Sequence, residues 1–456
     1  MDFKRSFIKV FLANFISLIS SIIISFIVPS ILSIESYSNL KTYTFYISYI
    51  TILHFGFIDG IYIKYGGKSI KEVNKNTLNN EHMSLLFIEI IVSLIILIIS
   101  LFLRDIILFL FSISILPINM ISFFKQFYQS VGEFGSFSKI VNIITMLTFL
   151  FNIIFGVVFK FDNYIAYCLI TVIVNYIVFF YSEIKYYKEI KSNIKRFSFE
   201  IVENIKVGIL ILLGNFAVIF FYAIDRWFVK IFFGVSEFAY YSFAVSMLNI
   251  INTLVTAVSS VFYNYICKNR NNNIIKEAKR YLIIIGVLAS CGYFLLSGII
   301  NIFLKKYIPS LNAIAISFSA YPYIVVINSL YINLYKINDD KKRYIKVVIM
   351  MTILSIIYNF GAILFLNSIQ GIAFATTLTF ITWYIYSLKD FKYLTPSAYE
   401  TVYLIVITTS FLVLAQMDNW IIGGVMYLII FLISTFMVYK KYILNSIKIL
   451  QLIKRD

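Results

Sequence analysis

Long apolar runs follow one another along almost the whole chain, separated by short polar segments. A transmembrane helix needs about 20 mostly apolar residues to cross a bilayer. Fourteen stretches meet this need, at 9–33, 41–63, 83–103, 105–130, 139–159, 162–187, 205–233, 236–266, 279–304, 309–336, 344–366, 369–390, 399–417 and 420–444. The pattern therefore predicts an all-α polytopic membrane protein with about fourteen transmembrane helices.

The composition agrees with this prediction and argues against several kinds of functional site. Of 456 residues, 61% are apolar and 13% are charged, whereas soluble domains are about 45–50% apolar and about 25% charged. The connecting segments are too short to hold a soluble catalytic domain, so we expect a protein that is not an enzyme. Three cysteines and two histidines, all well separated, suit neither a disulfide framework nor a zinc site, and we expect no cofactor.

The positive charges predict the orientation in the membrane. The net charge is +17. Most Lys and Arg residues lie in the segments on the same side as the N-terminus, and such segments are typically cytoplasmic. We therefore expect a multi-pass protein of the bacterial cytoplasmic (inner) membrane with both termini in the cytoplasm.

The apolar run Val10–Leu32 is too long for a signal peptide, so we expect it to stay as the first helix. The basic segments then lie against membrane lipids, and we expect no nucleic acid partner.

Two sequence shifts indicate an internal duplication. A shift of 198 residues lays Tyr43-Thr44-Phe45-x-x-Ser48 on Tyr241-Ser242-Phe243-x-x-Ser246, and a shift of 205 lays Ser112-x-Ser114-x-x-Pro117 on Ser317-x-Ser319-x-x-Pro322. Units of six spans predict two lobes of the same orientation, related by a pseudo-twofold axis along the membrane normal. The predicted domains are an N-lobe at 1–195, a C-lobe at 196–394, and two additional helices with a cytoplasmic tail at 395–456.

Polar residues at helical spacing mark one face of the eighth span. They are Ser242, Ser246, Asn249, Thr253, Thr256, Ser260 and Asn264. Such a stripe could hold helices together, since small and hydroxyl residues are common at membrane helix interfaces. Its length favours the wall of a water-filled cavity that would suit a sugar-bearing substrate. We therefore name Asn14 of the first span, Ser246, Asn249 and Thr253 as substrate-binding candidates.

Ionisable residues at membrane depth are functional candidates because they are costly there. Asp59, Glu89 and Asp225 are candidates for ion coupling or for ion pairs, and Lys125 could pair with either of the first two. Asp225 and Arg226 are adjacent and project in different directions, so at least one needs a partner on another helix. As cations at membrane depth, Arg226 and Lys125 are also substrate-binding candidates.

Two prolines lie in the middle of equivalent predicted spans. Pro117 belongs to the fourth span and Pro322 to the tenth. A proline removes one backbone hydrogen bond from a helix and tends to kink it. We therefore predict that both are hinges.

Two segments resemble a known family. Gly56-Phe57-Ile58-Asp59-Gly60-Ile61, which leads to Tyr65-Gly66-Gly67-Lys68, is similar to the end of helix 2 in polysaccharide (O-antigen and capsule) flippases. Asp225-Arg226-Trp227-Phe228-Val229-Lys230, followed by Phe233-Gly234 and Tyr240-Tyr241-Ser242-Phe243-Ala244, resembles that family's helix 7–8 turn. These flippases belong to the multidrug/oligosaccharidyl-lipid/polysaccharide exporter superfamily. Many of them have twelve helices, so the predicted last pair is a variation.

The resemblance implies a transporter that works by alternating access. It would flip an undecaprenyl-pyrophosphate-linked oligosaccharide from the cytoplasmic to the outer leaflet during synthesis of a surface polysaccharide. A polysaccharide polymerase and glycosyltransferases would be its partners. The chain contains no P-loop for a nucleotide, so any driving force would be an ion gradient.

Two other functions stay open from the sequence. A cation-coupled multidrug exporter of the same superfamily would share the two-lobed plan. A membrane oligosaccharide polymerase or glycosyltransferase is the enzyme alternative, but it would need a large external loop with catalytic residues, and the sequence predicts none.

Overall fold

The computed structural model describes residues 3–190, 202–268, 271–338 and 340–453, and these contain helices but no strand. All fourteen predicted spans are helical, although several are divided. The α-helices are α1 Phe3–Ile31, α2 Ile34–Ile47, α3 Phe57–Tyr65, α4 Lys75–Leu103, α5 Ile106–Ser130, α6 Phe134–Ile153, α7 Tyr164–Glu189, α8 Val202–Phe221, α9 Ile224–Phe232, α10 Val235–Lys268, α11 Asn272–Phe303, α12 Leu311–Phe318, α13 Tyr321–Val326, α14 Ile332–Ile337, α15 Lys341–Phe365, α16 Ile369–Ser387, α17 Ala398–Leu414 and α18 Trp420–Ile453.

The helices confirm an all-α polytopic membrane protein. Ten described helices are long and apolar enough to cross a membrane, and two bent helix pairs raise this number to twelve. The bent pairs fall on the second and tenth predicted spans. The helices α16 and α17 cover the twelfth and thirteenth spans, and α17 has only 17 residues.

The chain divides into two compact units, Met1–Ile219 and Phe220–Asp456. In the first unit, α5 is central and packs against α2, α3, α4, α6 and α7. In the second unit, α11 packs against α13 and α18, and α16 packs against α12 and α15. The helix α8 belongs to the first unit for almost its whole length. The predicted boundaries of the two lobes, at 195 and 394, stay a prediction.

Tight junctions between helices rely on local backbone chemistry. The helix α4 ends at Arg104, which takes a left-handed conformation with φ of 54°. The side chain of Asp105 then accepts hydrogen bonds from two backbone N–H groups in the first turn of α5. The same combination recurs where Asn367 has φ of 40° and Ser368 caps α16. Such caps satisfy N–H groups that a helix leaves open, so the chain turns within two or three residues.

The second predicted span is broken. After a 3₁₀ segment at Ile50–His54, Phe55 and Gly56 both have positive φ, and α3 leaves at 59° to the preceding helices. The helix α3 then crosses α8 in backbone contact, because a Cβ on Gly60 or on Gly208 would meet backbone atoms of the facing helix. Glycine spaced four residues apart allows this approach.

The tenth predicted span is also broken. A 3₁₀ segment at Lys305–Ser310 and α12 lead to a bend of 48°, after which α13, a π-helical turn at Ile327–Tyr331 and α14 continue. Pro322 lies in the first turn of α13, immediately after the bend. Its missing N–H leaves the carbonyl of Phe318 open, and the hydroxyl of Ser290 on α11 donates to that oxygen at 2.9 Å.

Candidate functional site

In the second unit, Asp225 joins the short helix α9 to α10. One carboxylate oxygen accepts a hydrogen bond from the backbone N–H of Arg226 at 2.7 Å, and the other accepts from the hydroxyl of Tyr241 at 2.8 Å. Asp225 and Tyr241 are both buried. The expected partner on another helix is therefore Tyr241, and the bond holds the start of α9 in place.

This anchor determines where Arg226 lies. The side chain of Arg226 is half-buried, beside a carboxylate that already accepts hydrogen bonds from two other donors. The neighbouring Trp227 is also half-buried. The arrangement therefore keeps a permanent positive charge near the break between α8 and α9.

The polar stripe of α10 is exposed from Asn249 to Ser260. Ser246 is half-buried, and both Asn249 and Thr253 are exposed. The hydroxyls of Ser246 and Thr253 donate to carbonyls of their own helix, one turn earlier. The hydrogen of each hydroxyl is therefore used within the helix, and the exposed surface of these side chains stays available to water or to a ligand.

Only the start of the described stripe serves helix packing. Ser242 is buried, whereas Thr256 and Ser260 are exposed. The hydroxyl that donates to the backbone oxygen of Asn328 at 2.9 Å belongs to Ser259, which lies outside the stripe. The side chain of Asn264 lies outside the described residues. Both interpretations of polar residues on α10 thus apply, packing at the start of the stripe and exposure from Asn249 to Ser260.

In the first unit, Asp59 lies next to the break of the second span. It is buried in α3, and one carboxylate oxygen is 4.0 Å from Nε2 of His54. The other ring nitrogen of His54 accepts a hydrogen bond from the backbone N–H of Gly56 at 3.1 Å. His54 therefore links the left-handed turn to the acid that follows it.

Glu89 and Lys125 do not pair with each other. Glu89 is completely buried in α4 and accepts a hydrogen bond from the side-chain amide of Asn119 on α5 at 2.8 Å. Lys125 is half-buried further along α5 and forms an ion pair with neither Asp59 nor Glu89 in the described chain. The suggested pairing of Lys125 with one of these acids is wrong, because an amide rather than an ammonium meets Glu89. Asn14 lies exposed on α1.

The two prolines occupy different environments. The helix α5 runs without interruption through Pro117, whereas Pro322 follows a bend. Whether either acts as a hinge stays a prediction.

Sequence reasoning missed a buried acid that ties three helices together. Glu81 on α4 accepts hydrogen bonds from the ammonium of Lys64 at 2.7 Å, the hydroxyl of Tyr65 at 2.6 Å and the side-chain amide of Asn204 at 2.8 Å. Lys64 and Tyr65 belong to α3, and Asn204 belongs to α8. Glu81 therefore reinforces the glycine crossing of α3 and α8, and only its position before a long apolar run hinted at burial.

A second unforeseen cluster holds the segment between α16 and α17. The guanidinium of Arg343 binds Asp390 through two hydrogen bonds of 2.9 and 2.7 Å, and the hydroxyl of Tyr335 donates to the same carboxylate. Burial acts to raise the pKa of Asp390, but the hydrogen bonds from Arg343 and Tyr335 outweigh it and hold the pKa below its usual value. This pair therefore stabilises the fold at neutral pH, and the contribution is lost as the pH falls through the lowered pKa.

The same segment is fastened to α11. The ammonium of Lys279 donates to the backbone oxygen of Leu394 at 2.6 Å, and Arg280 pairs with Glu400 at 2.7 Å. Glu400 also completes a capping box with Ser397 at the start of α17. These cations have structural partners and are not candidates for binding a substrate.

Comparisons with known proteins identify the fold. No protein-family model and no curated protein sequence matches the chain. The solved structure of the lipid II flippase MurJ in an inward closed conformation is similar, with a TM-score of 0.70 and 16% identity over 96% of this chain and 100% of that chain. A multidrug resistance MATE family transporter of the MOP superfamily is similar in its inward-facing conformation, with a TM-score of 0.57 and 15% identity over 83% of this chain and 95% of that one. In its outward-facing conformation the TM-score is 0.50, with 14% identity over 86% and 97%. The chain therefore shares its fold with transporters of this superfamily.

Proposed function

We propose that the protein flips an undecaprenyl-pyrophosphate-linked oligosaccharide from the cytoplasmic to the outer leaflet by alternating access, during synthesis of a surface polysaccharide such as O-antigen or capsule. The observation that carries the proposal is an exposed polar face on a membrane helix, Asn249 and Thr253 of α10, in a fold shared with a lipid II flippase. The lipid would stay in the bilayer while its sugars follow polar surface. A polymerase and glycosyltransferases that use the same lipid would be partners.

The positive charge of Arg226 supports the same substrate. A pyrophosphate leaving the cytoplasmic surface loses hydration, and a guanidinium can replace water with charge-assisted hydrogen bonds. Lys125 on α5 is the cationic candidate of the first unit, and it offers a point charge without the fork geometry of arginine.

Export of the surface polysaccharide, normalised to the amount of protein in the membrane, tests the role of Arg226. We expect Arg226→Ala to abolish export and Arg226→Lys to keep part of it, because lysine keeps the charge but loses the bidentate geometry. Asp225→Asn and the double change Asp225→Asn with Arg226→Gln complete the set. Restored export in the double variant would show that Arg226 only neutralises Asp225, since removing both members of a buried pair leaves no uncompensated charge.

The polar face of α10 has its own test and a matched control. Single cysteines at Asn249 and Thr253 should react with a small water-soluble thiol reagent if water reaches this face. The control is Leu254, which is 51% exposed beside Thr253 but belongs to an apolar surface. A cysteine at Leu254 should react less, because lipid rather than water would cover it. Equal reactivity of Thr253→Cys and Leu254→Cys would contradict a selective water path.

A cation-coupled multidrug exporter is the second candidate, because the fold is also that of a multidrug resistance MATE family transporter. Substrate assays separate the two. Loss of surface polysaccharide on deletion of the protein supports the flippase, whereas unchanged polysaccharide with greater sensitivity to cationic drugs supports the exporter.

A further inference from the structure

Glu89 and Asn119 form a buried pair in which one acceptor oxygen on each side chain has no donor. The amide nitrogen of Asn119 donates to Oε2 of Glu89 at 2.8 Å, and both residues are completely buried. Within the described chain, Oε1 of Glu89 and Oδ1 of Asn119 have no hydrogen-bond partner. A buried polar atom without a partner is costly, so two such atoms on neighbouring side chains point to a missing hydrogen.

The surroundings of Glu89 disfavour a negative charge. The carboxyl lies in a long apolar helix, where a charged side chain is expensive unless it is paired. No cation forms an ion pair with Glu89 among the residues that the structure describes. The other titratable groups on α4 itself are Lys75, Glu81 and His82. Those on α5 and on the 3₁₀ segment, which pack against α4, are Lys125, Tyr128 and His54, and Tyr46 of α2 lies in the same apolar cluster as Val92 and Ile96 of α4. Of these, Glu81 and His82 already bind other residues, at 2.7 Å from Lys64 and 2.8 Å from Glu183.

One proton on the carboxyl would make Glu89 and Asn119 chemically complementary. A protonated carboxyl has one O–H donor and one acceptor oxygen, and a primary amide offers the complementary acceptor and donor. With the proton on Oε1, Glu89 gains a donor beside a side chain whose Oδ1 is an open acceptor, while Oε2 keeps its hydrogen bond from Nδ2. The pair then carries no net charge.

Asn119 also connects the pair to the break in the second span. Its amide nitrogen donates to the backbone oxygen of Ile50 at 3.3 Å. Ile50 begins the 3₁₀ segment that ends at Phe55 and Gly56, where the chain bends by 59°. A deprotonated Glu89 would have two oxygens that only accept, and would compete with Ile50 for the hydrogens of Asn119. Loss of the proton would therefore weaken the support of the 3₁₀ segment.

We propose that Glu89 is a proton-binding site and that its protonation controls the angle of the bend between α2 and α3. The link is Asn119, which donates hydrogen bonds to both Glu89 and the Ile50 carbonyl. The proton adds to a carboxylate oxygen and leaves by the reverse step. This site rests on the proposed transport function and specifies a proton as the coupling ion.

Infrared difference spectroscopy on the purified full chain tests the proton directly. We expect wild-type protein at neutral pH to show the carbonyl band of a buried protonated carboxyl. Glu89→Gln should remove this band, and Glu72→Gln, which changes an exposed glutamate, should leave it. A spectrum that Glu89→Gln does not change would overturn the proposal, as would loss of the wild-type band when sodium is added at constant pH.

A second measurement tests the link to the bend. Spin labels at Thr44 on α2 and Tyr62 on α3, both exposed, report the distance across the break. We expect this distance to shift between mildly acidic and mildly alkaline pH in otherwise wild-type protein. In Glu89→Gln, whose amide imitates the protonated carboxyl, it should stay at the acidic value. A shift of the same size in both proteins, or no shift in either, would contradict the link.

Asn119→Ala keeps the proposal testable if Glu89→Gln does not fold. It leaves Glu89 in place but removes the donor to Oε2, so the infrared band should move in frequency, and an unmoved band would contradict the assigned contact.

Polysaccharide export is scored separately. Export without a Glu89 band rejects only the proton site, whereas a Glu89 band and a pH-dependent bend without export reject only the proposed substrate.

Discussion

The two broken spans reach a similar shape by different means. The first break uses glycine, because Phe55 and Gly56 adopt positive φ and α3 then lies against α8. The second break uses Pro322, and a hydroxyl from a neighbouring helix completes the interrupted backbone. Under the predicted repeat, the partner of each broken span is continuous: α10 has Leu254 in place of Gly56, and α5 runs straight through Pro117.

This comparison shows that a proline alone does not decide where a membrane helix breaks. Pro117 and Pro322 occupy equivalent positions under the predicted repeat, but α5 continues through Pro117 while the chain bends before Pro322. A Cβ on Gly286 of α11 would lie 2.6 Å from the Cα of Pro322, and Ser290 lies one turn beyond Gly286. The bend at Pro322 is therefore supported by the neighbouring helix α11.

The largest expected effect concerns the glycine break. Gly56→Ala should destabilise the protein by about 2–5 kcal/mol, which combines the strain of positive φ with overpacking. A Cβ at Gly56, where φ is 84°, would lie 2.6 Å from the backbone nitrogen of Ile209. Gly67→Ala is the control, because Gly67 has φ of 81° with no atom near its Cβ position. Thermal unfolding in detergent should show a clearly smaller loss for Gly67→Ala, and equal losses would mean that the contact with α8 contributes nothing.

The proline break should be moderately sensitive to its supporting hydroxyl. Ser290→Ala removes the donor to the Phe318 carbonyl, and an unsatisfied buried acceptor costs about 1–3 kcal/mol. Ser319→Ala is the matched control, since its equally buried hydroxyl donates only within its own turn, to Ile316. Thermal unfolding in detergent measures the loss of stability in both variants. A larger loss for Ser319→Ala than for Ser290→Ala would contradict the idea that Ser290 supports the bend.

The smallest expected effect is that of Pro322 itself. Pro322→Ala should cost only about 0.4–1 kcal/mol, chiefly through greater freedom of the unfolded chain, and the bend should remain because Gly286 and Ser290 still hold it. Spin labels on α12 and α13 would measure the angle in both proteins. A straightened helix would show that the proline, rather than its neighbours, maintains the break.

Part of the candidate site could be predicted from the sequence because the signal was local. The adjacency of Asp225 and Arg226 in an apolar span required a partner from another helix, and Tyr241 on α10 provides it. The spacing of Asn249 and Thr253 placed them on one face of one helix, and both are exposed. The partner of Glu89 was not predictable, because Asn119 is thirty residues away and no local pattern relates the two.

The sequence by itself determined that this is an all-α protein with many helices apolar enough to cross a membrane, and its predicted spans fall on helical residues. Apolar runs and caps such as Asp105 act within a few residues, and in lipid a helix is the simplest way to satisfy every backbone group. Only the tertiary structure decided which spans break, which acids are paired and which polar faces stay exposed. Glu81 shows the reason: its three donors come from α3 and α8, on either side of it in the sequence, and their meeting depends on how closely glycines let those helices approach.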